Sequence, residues 1–149
     1  MKIKASHIWI LLSMLVAAAI FISSSMEGAV SAVASMAIVD RIRQFFDINI
    51  GRHALNIIVR KIAHLVAFSL LGFCLASALK WLIKSRRLVF WLSWGVASVY
   101  GILDEIHQYF VPGRIFLISD MVINAAGALI GVSLALILDK KFSKKNEEI

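Results

Sequence analysis

The sequence predicts an all-α integral membrane protein with four transmembrane helices and an outer interfacial helix between the first two spans. Hydrophobic residues make up 60% of the 149 residues, against about 45–50% in soluble domains, and the mean hydropathy is +0.86. These residues occur in runs close to the roughly 20 residues that cross a bilayer as a helix. Basic residues flank the runs. The length fits a single domain.

Four apolar segments qualify as transmembrane helices. They cover about residues 7–25, 61–83, 88–110 and 115–138. The second segment contains His64 near its start, and the fourth contains Asp120 and Asn124. The first segment also fits a secretory signal, because a basic start and an apolar run precede small residues at 30–32. That alternative would leave three spans.

The basic residues predict that both termini lie in the cytoplasm. Lys2 and Lys4 precede the first span, and the 84–87 connection and the tail at 139–149 are rich in Lys and Arg. Cytoplasmic loops carry such an excess. The loop between spans one and two is then outside, although it contains several arginines that the same rule disfavours there.

Part of this outer loop, about residues 29–46, combines apolar and basic positions in a helical pattern. We expect a helix that lies in the outer membrane interface. An ordinary packed connector between the two spans is the alternative.

The net charge of +7 does not indicate nucleic-acid binding. Such binding would need the cations on one continuous face beside aromatic residues, whereas here they flank the apolar runs. Cys74 is the single cysteine, which excludes an intrachain disulfide and a cysteine-rich metal site.

Polar side chains are concentrated at the outer ends of spans two, three and four. They are Lys61, His64, Asp104, Glu105, His107, Gln108, Arg114, Asp120 and Asn124. Helical spacing of three or four residues places several of them on shared faces. Ionisable groups in lipid are costly, so we expect these side chains to face a shared pocket between the helices.

The alternative to a binding or catalytic pocket is structural. A network of charges and amides could tie the three helices together, because buried charges persist when they are paired and hydrogen-bonded. Gly127 and Gly131 follow Asn124 at helical spacing and form a small-residue seam that lets a neighbouring helix approach closely.

The same positions carry a family resemblance. The matching segments are 60–64, Asp104 to Gln108, Val111 to Arg114, and the series Asp120, Asn124, Gly127 and Gly131. With these residues the chain resembles the VanZ-like family of bacterial membrane proteins, over most of its length. The resemblance implies a role in the cell envelope at the bacterial cytoplasmic (inner) membrane. The founding member of the family is linked to resistance to the glycopeptide teicoplanin, and the resemblance implies no particular reaction.

One hypothesis is a hydrolase or transferase that acts on an anionic envelope lipid or a lipid-linked cell-wall precursor. Lys61 and Arg114 would hold a phosphate, with Arg60 as a third candidate cation and with Gln108 and Asn124 beside it. His107 or His64 would be the general base or nucleophile. The acidic residues that would orient the histidine are Asp104, Glu105 and Asp120.

The other hypotheses need no catalysis. The protein could bind a lipid or a membrane partner, with its polar cluster serving as a structural network. A transporter is disfavoured, because the polar residues lie at one end of the helices and not at the midplane. We expect no cofactor, and a divalent ion is an alternative for which Glu105, His107, His64 and Asp120 are competent ligands.

Overall fold

The computed structural model of the chain describes residues 2–47 and 50–147, with side chains described for 5–47 and 50–139. The described residues form α-helices joined by short connections, with no strand among them. The helices are α1 (Lys2–Ser25), α2 (Gly28–Phe46), α3 (Arg52–Leu79), α4 (Arg86–Tyr109) and α5 (Ile118–Glu147). The predicted all-α class is therefore confirmed. The basic tail predicted at 139–149 falls on the end of α5, and its side chains from 140 onward lie outside the described residues.

Three of these helices are long and apolar enough to cross a membrane. They are Ala5–Ser25, Arg52–Leu79 and Ile118–Asp139, which correspond to predicted spans one, two and four. The predicted third span is also a helix, α4, but it is less apolar, since Asp104 and Glu105 lie in its last turns. The chain thus has three candidate spans in its described residues, and a fourth span is not established.

Helix α3 lies at the centre and packs against α1, α2, α4 and α5. Its closest neighbour is α5, which runs parallel to it. A Cβ atom on Gly131 would overlap the carbonyl of Ser69, and one on Gly127 would overlap that of Leu65. The Ser69 hydroxyl also donates a hydrogen bond to Gly127 O at 2.9 Å. The small-residue seam read from the sequence is therefore occupied by α3.

Two ion pairs mark the ends of the α3–α5 contact. Lys61 Nζ lies 3.0 Å from Asp120 Oδ1, and Lys80 Nζ lies 2.8 Å from Asp139 Oδ1. Nineteen residues separate the two lysines, and nineteen separate the two aspartates. At about 1.5 Å per residue this is about 28 Å, close to the roughly 30 Å of a bilayer's hydrocarbon core. The apolar stretch between the pairs matches a membrane in thickness.

Helices α1 and α4 run antiparallel to α3 and α5 and cover one side of them. Tyr100 on α4 donates a hydrogen bond to Ala17 O on α1 at 2.8 Å. Phe68 packs with Ile20, Ala97 and Ala128 in a core where all the helices but α2 meet. This hydrogen bond and the core packing hold α1 beside α4. The C-terminal end of α1 therefore lies next to the polar C-terminal end of α4.

The turn after α4 is docked on the junction of α1 and α2. Gly28 N donates to Pro112 O at 2.9 Å, and a Cβ atom on Gly28 would overlap the Gly113 backbone. Gly113 has a φ of +73°, a conformation that L side chains rarely adopt. Both glycines are needed for this contact, which ties a segment early in the chain to the 110–117 loop.

Helix α2 corresponds to the helix predicted at about 29–46. It packs on α3 with Val39 buried, and it ends at Asp47, a C-cap in the left-handed conformation with φ 48°. Phe45 and Phe46 in its last turn are exposed, as expected for an interfacial helix. Its position relative to a membrane stays a prediction.

A matched pair of glycine substitutions tests the α3–α5 seam. Gly131→Ala should lower the free energy of unfolding by about 1–3 kcal/mol, because the new methyl group meets backbone and not a movable side chain. Thermal unfolding in detergent measures the change.

The control is Gly95→Ala in α4, where a Cβ atom meets nothing within 4 Å. It should leave stability equal or raise it by about 0.5–1 kcal/mol, from the better helix propensity of alanine. Equal effects at the two positions would contradict the packing described.

Candidate functional site

Three polar side chains from α3 and α4 converge near the Lys61–Asp120 end of the helices. His64, Asp104 and Glu105 each place one nitrogen or oxygen atom within 4.8 Å of the others. Asp104 is 5% exposed and Glu105 is fully buried. All three residues are among those predicted from the sequence, and the antiparallel packing of α3 and α4 brings them together.

Glu105 is the most deeply buried ionisable residue of the described part. Neither of its carboxylate oxygens has a hydrogen-bond partner. His64 Nδ1 lies 3.8 Å from Glu105 Oε1, too far for a hydrogen bond. The backbone N–H of Leu117 is close by without reaching hydrogen-bond geometry. A buried carboxylate with no partner is energetically costly.

Two amide side chains fix the orientation of this cluster. His64 Nδ1 donates to Asn124 Oδ1 at 3.1 Å, and Asn124 Nδ2 donates to Gly101 O at 3.4 Å. Gln108 Nε2 donates to Asp104 Oδ2 at 3.0 Å and to Ser24 Oγ at 3.1 Å. Asn124 thus links α3, α4 and α5, whereas Gln108 links α4 to α1.

A cavity of about 480 Å³ lies beside the cluster. Its walls come from α1, α2 and α3 and are mainly apolar, with Ile20, Ile38 and Phe68 among the lining residues. At one end the lining is polar. The polar residues there include Ser23, Ser24, Arg60, His64, Asp104, Gln108 and Arg114, and α2 adds Ser31 and Ser35 to the lining. The volume falls within the range of small-molecule sites, about 300–1,000 Å³.

Two arginines line the polar end of the cavity. Arg114 donates from Nη2 to Ser23 O at 2.7 Å and from Nε to Met26 O at 3.1 Å. It therefore binds carbonyl groups left without helical partners where α1 ends. Arg60, by contrast, has no hydrogen-bond or ion-pair partner among the described residues.

The pKa of the Arg114 guanidinium is lowered from its ordinary value, first by burial and then by the nearby positive charge of Arg60. The carboxylates of Asp104 and Glu105 act in the opposite direction. The polar end of the cavity thus has two cations that repel each other, which favours an anion between them.

Lys61 and Asp120 form a separate pair outside this cavity. Lys61 Nζ donates to Asp120 Oδ1 and to Ser119 Oγ, both at 3.0 Å. Asp120 lies in the first turn of α5, where a negative charge is favourable with the helix dipole. The cation predicted to bind an anion with Arg114 is in the structure paired with a carboxylate.

His107 also lies apart from the cluster. Its ring stacks on Phe21 of α1, with the ring centroids 4.9 Å apart, and its Nε2 lies 3.1 Å from Ser25 Oγ. The Ser25 hydroxyl already donates to Phe21 O at 2.8 Å, so it accepts from His107. The predicted single pocket is divided. His64, Asp104, Glu105, Gln108, Asn124 and Arg114 gather together, whereas His107 lies apart, and Asp120 is held in its ion pair with Lys61 although its charge still acts on Glu105.

One part of the site was not predicted from the sequence, namely the apolar wall contributed by α1 and α2. Arg60, named from the sequence only as a further candidate beside Lys61 and Arg114, lines the cavity, whereas Lys61 does not. Ser24 is buried and bonded to Gln108, but its three-serine segment has no spacing that predicts such a contact.

A comparison with models of protein families shows which family the chain belongs to. A model described as VanZ/LLP1 matches residues 9–139. The chain belongs to the VanZ/LLP1 family. No curated protein and no solved structure matches it. The match runs from α1 into α5, so the VanZ/LLP1 region includes every residue of the cluster and of the cavity wall.

Replacement of Arg114 tests its role in holding the end of α1. Arg114→Met should lower the free energy of unfolding by about 1.5–3 kcal/mol, because hydrogen bonds from a charged donor are lost and carbonyl groups are left unpaired. Thermal unfolding in detergent provides the measurement.

Arg52→Met is the matched control, since Arg52 pairs with Asp40 where both side chains are about half exposed. The control should cost less than about 1 kcal/mol. An Arg114→Met protein as stable as the control would show that these hydrogen bonds contribute nothing.

Proposed function

We propose that this VanZ/LLP1-family protein binds an anionic lipid, or a lipid-linked precursor, of the bacterial cell envelope. The observation that carries the proposal is the amphiphilic cavity, in which an apolar wall ends at Arg60 and Arg114. A molecule that fills both parts must have an apolar chain and a negatively charged head.

The charged end favours a phosphate. Arginine presents N–H donors in a planar fork that matches phosphate oxygens in pairs. Arg60 has no partner among the described residues, so its donors are available to a ligand. An anion here would also relieve the repulsion that Arg60 exerts on Arg114. Gln108 and His64 line the same end.

The apolar part favours a lipid over a soluble phosphate ester. Its lining comes from α1 and α3, two of the candidate membrane-crossing helices, and from α2. An acyl or prenyl chain can pass between such helices and remain in apolar surroundings, because the lipid tails outside are equally apolar.

The proposed orientation places this cavity at the outer face of the cytoplasmic membrane, with both termini inside. The connection between α3 and α4 contains Lys84, Arg86 and Arg87 and lies at the opposite ends of these helices from His64 and Asp104. A short basic connection of this kind is typical of the cytoplasmic side. From the outer face, binding of a precursor would alter susceptibility to glycopeptide antibiotics such as teicoplanin.

If the protein also acts on its lipid, His64 is better placed than His107 to be the general base. His64 lines the cavity beside Asp104 and Glu105, whereas His107 packs against α1. The proposed reaction class is hydrolysis or transfer of the phosphorylated head.

A second candidate function is purely structural. The hydrogen bonds of Asn124 and Gln108 each join different helices, as a helix-tying network would. Neither carboxylate oxygen of Glu105 has a hydrogen-bond partner. This does not fit a structural function, because a network that serves stability would provide hydrogen bonds to its most buried residue.

Lipid binding is tested with Arg60→Gln. Its affinity for phosphatidylglycerol should fall by at least about tenfold, since hydrogen bonds to charged groups contribute about 1.5–3 kcal/mol and about 1.4 kcal/mol is tenfold. Native mass spectrometry of purified protein with added lipid gives the bound fraction. Phosphatidylcholine, which is neutral overall, should bind more weakly to the wild type and respond less to the substitution.

Arg52→Gln removes an equal charge from the surface of α3 and should bind phosphatidylglycerol like the wild type. Unchanged binding by Arg60→Gln would contradict the proposed anion site. If Arg60→Gln lowers the melting temperature as well as the bound fraction of lipid, the loss of binding would follow from loss of structure, which favours the structural network instead.

The orientation is tested by cysteine labelling in a Cys74→Ala background. Lys84→Cys, in the exposed α3–α4 connection, should react with a membrane-impermeant maleimide only after the cells are opened. Glu27→Cys, exposed between α1 and α2, should react in intact cells. The reverse pattern would place the cavity on the cytoplasmic side.

A further inference from the structure

We infer that His64, Asp104 and Glu105 form a binding site for a divalent metal ion. This inference concerns the cluster behind the cavity and does not depend on the identity of the proposed lipid. It rests on three observations. One donor atom from each residue lies close to the others, the buried carboxylate of Glu105 has no hydrogen-bond partner, and a hydrogen bond from Gln108 orients Asp104.

The convergence is close to the size that a metal site needs. Ligands bound at about 2.0–2.2 Å from a common ion lie within roughly 4.4 Å of one another, and the three donor atoms lie within 4.8 Å. The site therefore requires small rotations of the side chains to bring all three donors onto one ion. The donors come from two helices, so the site is built on rigid elements and not on a loop.

The second observation points directly to a ligand. Glu105 has a side-chain exposure of 1%, and both of its oxygens lack a hydrogen-bond partner. Buried polar groups in folded proteins are almost always satisfied. A buried carboxylate that has no hydrogen bond, and that lies 3.8 Å from the imidazole of His64 and beside the carboxylate of Asp104, is the arrangement expected when the missing partner is a cation.

The neighbouring cations do not take that place. Lys61 is bonded to Asp120 and Ser119, and Arg114 donates to Ser23 O and Met26 O. The positive charge of Arg114 is felt by Asp104 and Glu105, but neither carboxylate has an ion pair with it among the described residues. One divalent ion would balance the two carboxylates of the cluster.

One hydrogen bond beside the cluster is of the kind that outer-shell partners make in metal sites. Gln108 Nε2 donates to one oxygen of Asp104, Oδ2, and leaves the other oxygen for an ion. Partners of this type orient the ligands and raise the affinity for metal. Asn124 is placed differently, because its Oδ1 accepts from His64 Nδ1, the nitrogen that faces Glu105. An ion bound at Nδ1 would replace that hydrogen bond: the proton moves to Nε2, and Asn124 Oδ1 becomes a further oxygen donor beside the ion.

The donor set indicates the class of ion. Carboxylate oxygens suit Mg²⁺, Ca²⁺ and Mn²⁺, whereas imidazole suits Zn²⁺ and the iron group. One imidazole with two carboxylates is therefore best matched by Mn²⁺ or Zn²⁺. Because His64 and Asp104 also line the cavity, open coordination positions would face the head of a bound lipid, and this last point rests on the proposed function.

The test uses the full chain purified in detergent, freed of metal with a chelator and titrated with MnCl₂. Free Mn²⁺ gives an electron paramagnetic resonance signal that is lost on binding. The wild type should bind one Mn²⁺ per chain, and ZnCl₂ should compete for it. Glu105→Gln should weaken Mn²⁺ binding by about 100-fold or more, and Gln108→Leu by about tenfold, the range typical of outer-shell partners.

Asp139→Asn is the matched control, because it removes a carboxylate that pairs with Lys80 at the other end of α5. It should bind Mn²⁺ like the wild type. Arg60→Gln should also retain Mn²⁺ binding while it loses phosphatidylglycerol, so that failure of the metal site and failure of the lipid site are distinguishable.

A wild type that binds neither Mn²⁺ nor Zn²⁺ overturns the inference, and so does a Glu105→Gln protein that binds as the wild type does. If Glu105→Gln does not fold, His64→Gln replaces it, since His64 is the least buried of the three. The same loss of affinity is expected there, and undiminished binding by His64→Gln contradicts the site equally.

Discussion

The close backbone contact between α3 and α5 is the constraint on which the rest of the structure depends. Gly127 and Gly131 leave no room for a side chain against Leu65 and Ser69, so the two helices have one register and not several. That register sets the Lys61–Asp120 and Lys80–Asp139 pairs at the two ends of a membrane-thick apolar stretch. It also aligns His64 on α3 with Asn124 on α5, from which the site is built.

The polar cluster has a cost that the packing must offset. Each ionisable group placed among apolar helices loses its hydration, and the loss is tolerated where hydrogen bonds or opposite charges replace the water. His64, Gln108 and Asn124 meet this condition through partners on other helices, and Asp104 meets it through Gln108 on its own helix. Glu105 does not. A helix-tying network explains the satisfied members, but the unsatisfied one is better explained by a ligand.

The cluster and the cavity form two connected halves of one candidate site. Asp104 and His64 belong to both, so an ion held by the carboxylates and a head held by Arg60 and Arg114 would be neighbours. The turn at Pro112–Gly113 holds Arg114 in place by packing on Gly28. The start of α2 is thereby part of the site, although it lies far from the cluster along the chain.

The sequence by itself determined the helical class, the family, the apolar stretches and most of the polar residues, because these follow from local composition and from helical spacing. Glycine spacing after Asn124 also predicted a close helix contact. Only the tertiary structure decided which polar residues meet. His107 shares a helix face with Asp104 at a spacing of three, yet it turns to Phe21 and Ser25 of α1, whereas Glu105 turns to His64. The rotation of α4 about its own axis decides which of these side chains faces which helix. Packing against helices distant in sequence sets that rotation, so residue spacing within α4 alone does not predict it.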